Sequence, residues 1–199
     1  SSTATRYPQY QSDCMNDLPC VNFISSQQDN INIDEGVRRF VDELSLFIVF
    51  KPENYNDTTQ ALIQVQDSYG WNRYGWRLRL ESTNKISYSY RRINDTYPAS
   101  SADNTLINNT TQLASVLDKG DDGISLYHNG SVVATNAGVA GDKYVDQINM
   151  ASFKPNSSEY FRSSYFNGGI GEIIIFTRGL KENERKDIED YLMAKWSIK

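Results

Sequence analysis

The residues of this chain whose types and spacing could do chemistry fall into a few short stretches. One is acidic, Asp118-Lys-Gly-Asp-Asp-Gly, with Asp142 and Asp146 further along. Oxygen-rich loops suit a hard cation, so Asp118, Asp121 and Asp122 are candidate ligands for calcium (Ca2+). Asp-Gly clusters are also ordinary turn formers, and the spacing is not that of an EF-hand loop. A second stretch is aromatic, Asp67-Ser-Tyr-Gly-Trp-Asn-Arg-Tyr-Gly-Trp. There Tyr69, Trp71 and Tyr74 could offer ring faces to sugar C–H surfaces, with Asn72 and Arg73 supplying hydrogen bonds. The competing reading is that these rings close one end of the fold. Trp76 is in strand phase and is read as core.

Groups suited to catalysis are sparse. The one histidine, His128, precedes Asn129-Gly130, and no serine or cysteine elbow points to it. Asp187, Glu189 and Asp190 fall on a predicted helix, where solvation is their expected role. Gly168-Gly169 opens a strand instead of a helix and does not make a phosphate cradle. No catalytic residue is predicted, and the chain is not expected to be an enzyme. Cys14 and Cys20 lack the companion ligands of a zinc site and read as a short-loop disulfide or as two free thiols. The disulfide would place the protein in an oxidising compartment. Asn-X-Ser/Thr triplets occur at Asn56, Asn94, Asn108, Asn109, Asn129 and Asn156, a pattern shared by glycan acceptors and polar loops.

Composition limits the partners. A net charge of −5 with scattered Lys and Arg argues against nucleic acid, which needs a basic stripe. No run approaches the roughly 18 apolar residues of a membrane span, so membrane insertion is not expected. With 39% apolar residues over 199 positions, one domain with a real core is expected across 1–199.

The elements that must hold these groups are mostly strands. Short apolar alternations separated by turn residues are the all-β signature. They fall at Val21–Ile24, Ile31–Ile33, Glu43–Lys51, Ala61–Gln66, Gly75–Leu80, Lys85–Tyr90, Gln112–Leu117, Gln147–Phe153 and Gly168–Thr177. Leu44, Leu46, Ile48 and Phe50 share one face while Phe47 and Val49 occupy the other, as in a central strand. On Gly75–Leu80, Trp76, Leu78 and Leu80 oppose Arg77 and Arg79. Asn129-Gly130 between two alternations predicts a hairpin whose turn needs positive φ at both residues. The segment from Asn94 to Asn109 lacks periodicity and is predicted to be a long loop. From about 181 to 196 the period changes to 3.6, with Ile188, Tyr191, Leu192 and Trp196 forming a core-facing helical stripe. The expected fold class is all-β, an antiparallel β-sandwich with one C-terminal α-helix.

Gly168-Gly-Ile-Gly-Glu-Ile-Ile-Ile-Phe-Thr-Arg-Gly-Leu leading into Glu184-Arg-Lys-Asp-Ile-Glu-Asp-Tyr-Leu-Met-Ala-Lys-Trp resembles the ending of laminin G-like, or concanavalin A-like lectin/glucanase, domains of bacterial and viral type. Leu126-Tyr-His-Asn-Gly, Leu44-Ser-Leu-Phe-Ile-Val-Phe-Lys-Pro and the stretch from Arg6-Tyr-Pro-Gln-Tyr to Leu18-Pro-Cys-Val-Asn-Phe are similar to further family segments in the same order. The resemblance implies a jelly roll and covers nearly the whole chain, although the family's usual first strand and its W-x-D-x-S-G-x-G-N loop are missing here. Glucanases of this fold carry paired acids spaced E-x-D-x-x-E, and no such triplet occurs. The resemblance therefore implies a non-catalytic recognition or adhesion module on a cell or virion surface or otherwise extracellular. Its partner would be a glycan or a surface protein, bound through sandwich-edge loops. The alternative is a structural decoration or fibre domain that assembles into a larger particle or polypeptide.

Overall fold

A computed structural model describes residues 7–34, 40–53, 59–65, 74–92, 95–101, 105–137, 143–144, 147–152 and 164–199. The strands, in chain order, are β1 (Gln9–Met15), β2 (Leu18–Phe23), β3 (Ile31–Asp34), β4 (Phe40–Val41), β5 (Leu44–Pro52), β6 (Gln60–Val65), β7 (Tyr74–Glu81) and β8 (Lys85–Arg92). They continue as β9 (Asp95–Ser100), β10 (Gln112–Asp118), β11 (Ile124–His128), β12 (Ser131–Asn136), β13 (Lys143–Tyr144), β14 (Gln147–Met150) and β15 (Gly168–Phe176), followed by the helix α1 (Glu182–Lys195). Two antiparallel sheets form the expected sandwich. One runs β1-β2-β15-β5-β10-β11-β12, the other β3-β14-β6-β7-β8-β9, and β4 pairs with β13 in a small ribbon.

Burial follows the alternation. Leu44, Leu46, Ile48 and Phe50 of β5 meet Trp76, Leu78, Tyr88 and Tyr90 from the other sheet in the central core. On the reverse face of β5, Phe47 and Val49 join Leu113, Leu117, Leu180, Leu192 and Trp196 in a second core beneath α1. A strand so buried on both faces reads as a near-continuous apolar run, and its buried Ser45 donates its hydroxyl to the Arg178 carbonyl at 2.9 Å. The ladder between β15 and β5 slips between Ile170 and Glu172. This bulge switches parity, so that Ile170 faces the central core before it and Ile173 and Ile175 face it after. Gly171 lies at the slip, where a Cβ would come within 2.4 Å of the Trp196 ring. Glu172 in turn accepts hydrogen bonds from Trp196 Nε1 (3.0 Å) and Lys195 Nζ (2.8 Å), fixing the end of the helix on the sheet.

Two sequence expectations need correction, and one strand was not predicted. The stretch from Asn94 to Asn109 is not one long loop, because 95–100 pairs along its whole length with β8 as β9. That strand contains Pro98 and has no clean alternation, so its partner and not its own pattern creates it. Gln9–Met15 is also a strand, an edge whose first residues are exposed and carry no apolar period. On α1, Leu192 and Trp196 are buried as expected, but Tyr191 is 52% exposed while Arg185 and Glu189 are buried. Arg185 pairs with Glu189 one turn on and with Glu182, and its guanidinium stacks 4.0 Å from the Tyr127 ring. A paired charge can take a core-facing position that an apolar count assigns to another residue. The helix start is fixed by Glu184, which accepts from the Lys181 backbone N–H at 2.8 Å.

Candidate functional site

The outward face of the six-stranded sheet is where polar chemistry concentrates. Ile63 and Val65, Trp76 and Leu78, and Tyr88 and Tyr90 turn into the core. Strand alternation therefore turns the residues between them, Gln64, Arg77 and Ser89, to the opposite side. Asn149 of β14 holds the same relation to Ile148 and Met150. Registers place these four side by side: Asn149 opposite Gln64, Gln64 opposite Arg77, and Arg77 opposite Ser89. Arg77 Nε donates to Ser89 Oγ at 3.4 Å. All four are buried, at 1% to 8% exposure, although they point away from the core. The adjacent row carries Arg79, opposite Ser87 on β8 and paired through its guanidinium with Glu81 at 2.5 Å. Neutral amides, a hydroxyl and two guanidinium groups thus lie across β14, β6, β7 and β8 of an acidic protein.

The same registers show which strand ends lie nearest this row. Val65 lies next to the start of β14, Asp34 next to Gln147, and Arg92 next to Asp95. The chain between β3 and β4, β6 and β7, β8 and β9, and β13 and β14 therefore leaves the sheet at one end. The predicted aromatic segment is the β6–β7 connection. Tyr69, Trp71, Asn72 and Arg73 lie outside the described residues, and Tyr74 opens β7 opposite Arg92. Sequence reasoning assigned the ligand to this segment and passed over Gln64, Ser89 and Asn149. Their signal was present as single polar residues within apolar alternations.

The described acidic candidates, Asp118, Asp121 and Asp122, are not brought together as a cluster. Asp118 is fully buried, and Lys143, also fully buried, sits 3.2 Å from its Oδ1. Tyr88 donates its hydroxyl proton to Oδ2 at 2.9 Å, and the Gly120 N–H donates to Oδ1 at 3.2 Å. Burial raises the Asp118 carboxyl above its ordinary range, against the opposing pull of Lys143 and Tyr88. The same burial, with the neighbouring Asp118 charge, pushes the Tyr88 phenol well up. Lys143 Nζ also donates to the Asp42 carbonyl at 2.6 Å and lies 4.4 Å from the Tyr90 ring centre. Both oxygens of Asp118 are thus engaged within the protein. Asp121 and Asp122 are exposed on the short 3-10 turn Gly120–Asp122, and Asp142 and Asp146 lie outside the described residues. Among the described residues no group of three or more His, Cys, Asp or Glu side chains could hold a metal ion.

His128 is half-buried, and its Nε2 donates to Gln112 Oε1 at 2.9 Å. Burial lowers its pKa. Asn129 and Gly130 have φ of 46° and 77°, the positive values the hairpin turn requires. Cys14 and Cys20 form a disulfide across the β1–β2 turn.

A two-sheet jelly roll closed by one helix, with polar side chains on the outward face of one sheet, defines a lectin-like β-sandwich. The chain belongs to the Concanavalin A-like lectin/glucanases superfamily, whose laminin G model matches residues 25–184. No curated protein matches it significantly in sequence. Among solved structures, the binding domain of Paraclostridial Mosquitocidal Protein 1 superposes with a TM-score of 0.71 at 13% identity, over 94% of this chain and 46% of that one. The binding domain of Botulinum Neurotoxin serotype G gives 0.66 at 15% identity, over 98% and 48%. The CBM40 of the Ruminococcus gnavus IT-sialidase, in its complex with α2,3 sialyllactose, gives 0.58 at 14% identity, over 80% and 95%. This chain spans about half the length of the two toxin binding domains and nearly all of the CBM40.

Proposed function

We propose that this chain is a non-catalytic glycan-recognition module. Its ligand is held at the end of the six-stranded sheet from which the aromatic β6–β7 connection leaves, beside the buried polar row on the outward face. The observation that carries this reading is the row Asn149–Gln64–Arg77–Ser89, polar groups aligned across four strands on the side away from the core. Amide and hydroxyl groups match the paired donor and acceptor character of sugar hydroxyls, and a guanidinium matches a carboxylate-bearing sugar. Tyr69, Trp71 and Tyr74 supply the ring faces such a site needs. The likeness to a CBM40 that holds sialyllactose supports the same reading. The disulfide and the absence of any described helix long and apolar enough to cross a membrane suit a module displayed outside the cell or on a particle surface.

The test is a glycan array that includes sialyllactose, followed by calorimetry of any hit with the Trp71→Ala and Arg77→Gln variants. Each variant is expected to bind at least about tenfold more weakly, a loss of about 1.4 kcal/mol, with an unchanged circular dichroism spectrum. Absence of glycan binding together with stable self-association would replace this reading with a structural, particle-assembling role.

A further inference from the structure

On the helix-bearing side of the sandwich, remote from the polar row, a groove of about 380 Å³ opens beside the end of α1. That volume is within the range of small-molecule sites. Four separate pieces of chain converge on it: the β1–β2 turn at Asn16, the segment 107–111 leading into β10, the β11–β12 turn at Asn129, and the tail after the helix from Ser197.

Each wall is held by a side chain bonded to backbone. The buried Gln112 amide donates to the Ile107 and Thr110 carbonyls at 2.8 and 3.1 Å, and its oxygen accepts from the Ile107 N–H at 3.2 Å. Asn129 Oδ1 accepts from the Leu113 N–H at 2.9 Å. Asn16 Nδ2 donates to the Trp196 carbonyl at 2.6 Å, tying the disulfide-closed hairpin to the helix end. Walls fixed in this way need little ordering when a ligand enters.

The lining chemistry is selective. It combines amides (Asn16, Asn109, Asn129) and hydroxyls (Thr110, Thr111, Ser197) with Ile198 and the cationic Lys199, and no acidic side chain lines it. Ile107 stands 57% exposed at this groove, an apolar surface among polar groups. Thr111 is 5% exposed, and its buried hydroxyl has no hydrogen-bond partner. Buried hydroxyls are normally satisfied, so this one marks a place where a partner is missing. We infer that the groove is a second binding site, for a saccharide whose C–H face lies on Ile107 and whose hydroxyls are shared among the amides, the hydroxyls and the Lys199 ammonium around it. This inference is independent of the glycan site on the opposite sheet.

The experiment is an amide NMR titration of the intact chain with maltose, cellobiose and lactose, each to about 20 mM, the range in which millimolar sites saturate. At least one sugar is expected to shift the amides of Asn109, Thr110, Asn129 and Ser197. Ile107→Glu should weaken that binding at least about tenfold, and the near-isosteric Thr111→Val should weaken it by a smaller factor, both with unaltered thermal stability. Shifts confined to Asn149, Gln64, Arg77 and Ser89 would overturn the second site while supporting the first. Binding at the groove that Ile107→Glu leaves unchanged would overturn it, as would no shift with any of the three sugars.

Discussion

Replacing Lys143 by methionine isolates the buried ion pair that the fold makes of a predicted metal ligand. The substitution keeps most of the stem volume but removes the ammonium 3.2 Å from Asp118 Oδ1. Breaking a buried pair on one side costs about 3–5 kcal/mol, because the remaining charge is left in a low-dielectric site. Asp118 keeps the Tyr88 hydroxyl and the Gly120 N–H, so the expected loss lies at the lower end, about 3 kcal/mol. For a chain of this size that is a fall in Tm of about 6–12 °C. The pH dependence gives a second readout. Burial raises the Asp118 carboxyl above 3.8 in the folded protein, and loss of Lys143 raises it further. A raised carboxyl favours folding fully below its unfolded value, and that contribution disappears as pH rises through the folded value. The deficit of Lys143→Met should therefore be largest near neutral pH and shrink as pH falls toward 4. Denaturant unfolding at neutral and mildly acidic pH measures both effects. The double variant Lys143→Met/Asp118→Asn, which leaves no buried charge, should recover about half of the loss or more. A single-variant loss under about 1 kcal/mol, or one that does not change with pH, would refute the reasoning.

Two further outcomes follow from the helix and its seat. Gly171→Ala places a methyl group 2.4 Å from the Trp196 ring, so it should destabilise by about 1–3 kcal/mol and red-shift tryptophan emission; an unchanged Tm would show that the ring moves freely. At the other end of α1, Arg178 donates to both oxygens of Glu184, which also accepts from the Lys181 N–H, holding its carboxyl at about 2 against an ordinary 4.5. A depressed carboxyl adds stability above its unfolded value and loses it as pH falls through the folded one. Carbon-detected NMR should find Glu184 titrating near 2, and Arg178→Leu should move it upward and start acid unfolding at a higher pH. A titration unaffected by that change would remove Arg178 as the cause.

Much of the fold was legible because local rules act within single segments. Leu44–Phe50 announced a strand covered on both faces by having no polar alternation, and it lies between the two cores. Asn129-Gly130 announced a turn because both residues tolerate positive φ, and the strand-to-helix ending carried the resemblance to the family. The edges were harder to read. β1 and β9 exist through pairing with β2 and β8, and an edge strand with one neighbour and a solvent face leaves little hydrophobic pattern.

The sequence by itself determined which residues must be inside, because apolar periodicity and turn chemistry are properties of neighbours along the chain. It also determined that Arg77 and Arg79 share the face of β7 opposite Trp76, since alternation is a local fact. Only the tertiary structure decided that Gln64, Arg77, Ser89 and Asn149 stand in one row, because cross-strand register joins positions up to 85 residues apart. It also decided that Asp118 faces Lys143 across 25 residues of chain. Asp121 and Asp122, which adjoin Asp118 in sequence, lie exposed at the surface. Which charge meets which across a sandwich is set by strand order and register, and the spacing of residues along one strand carries no record of it.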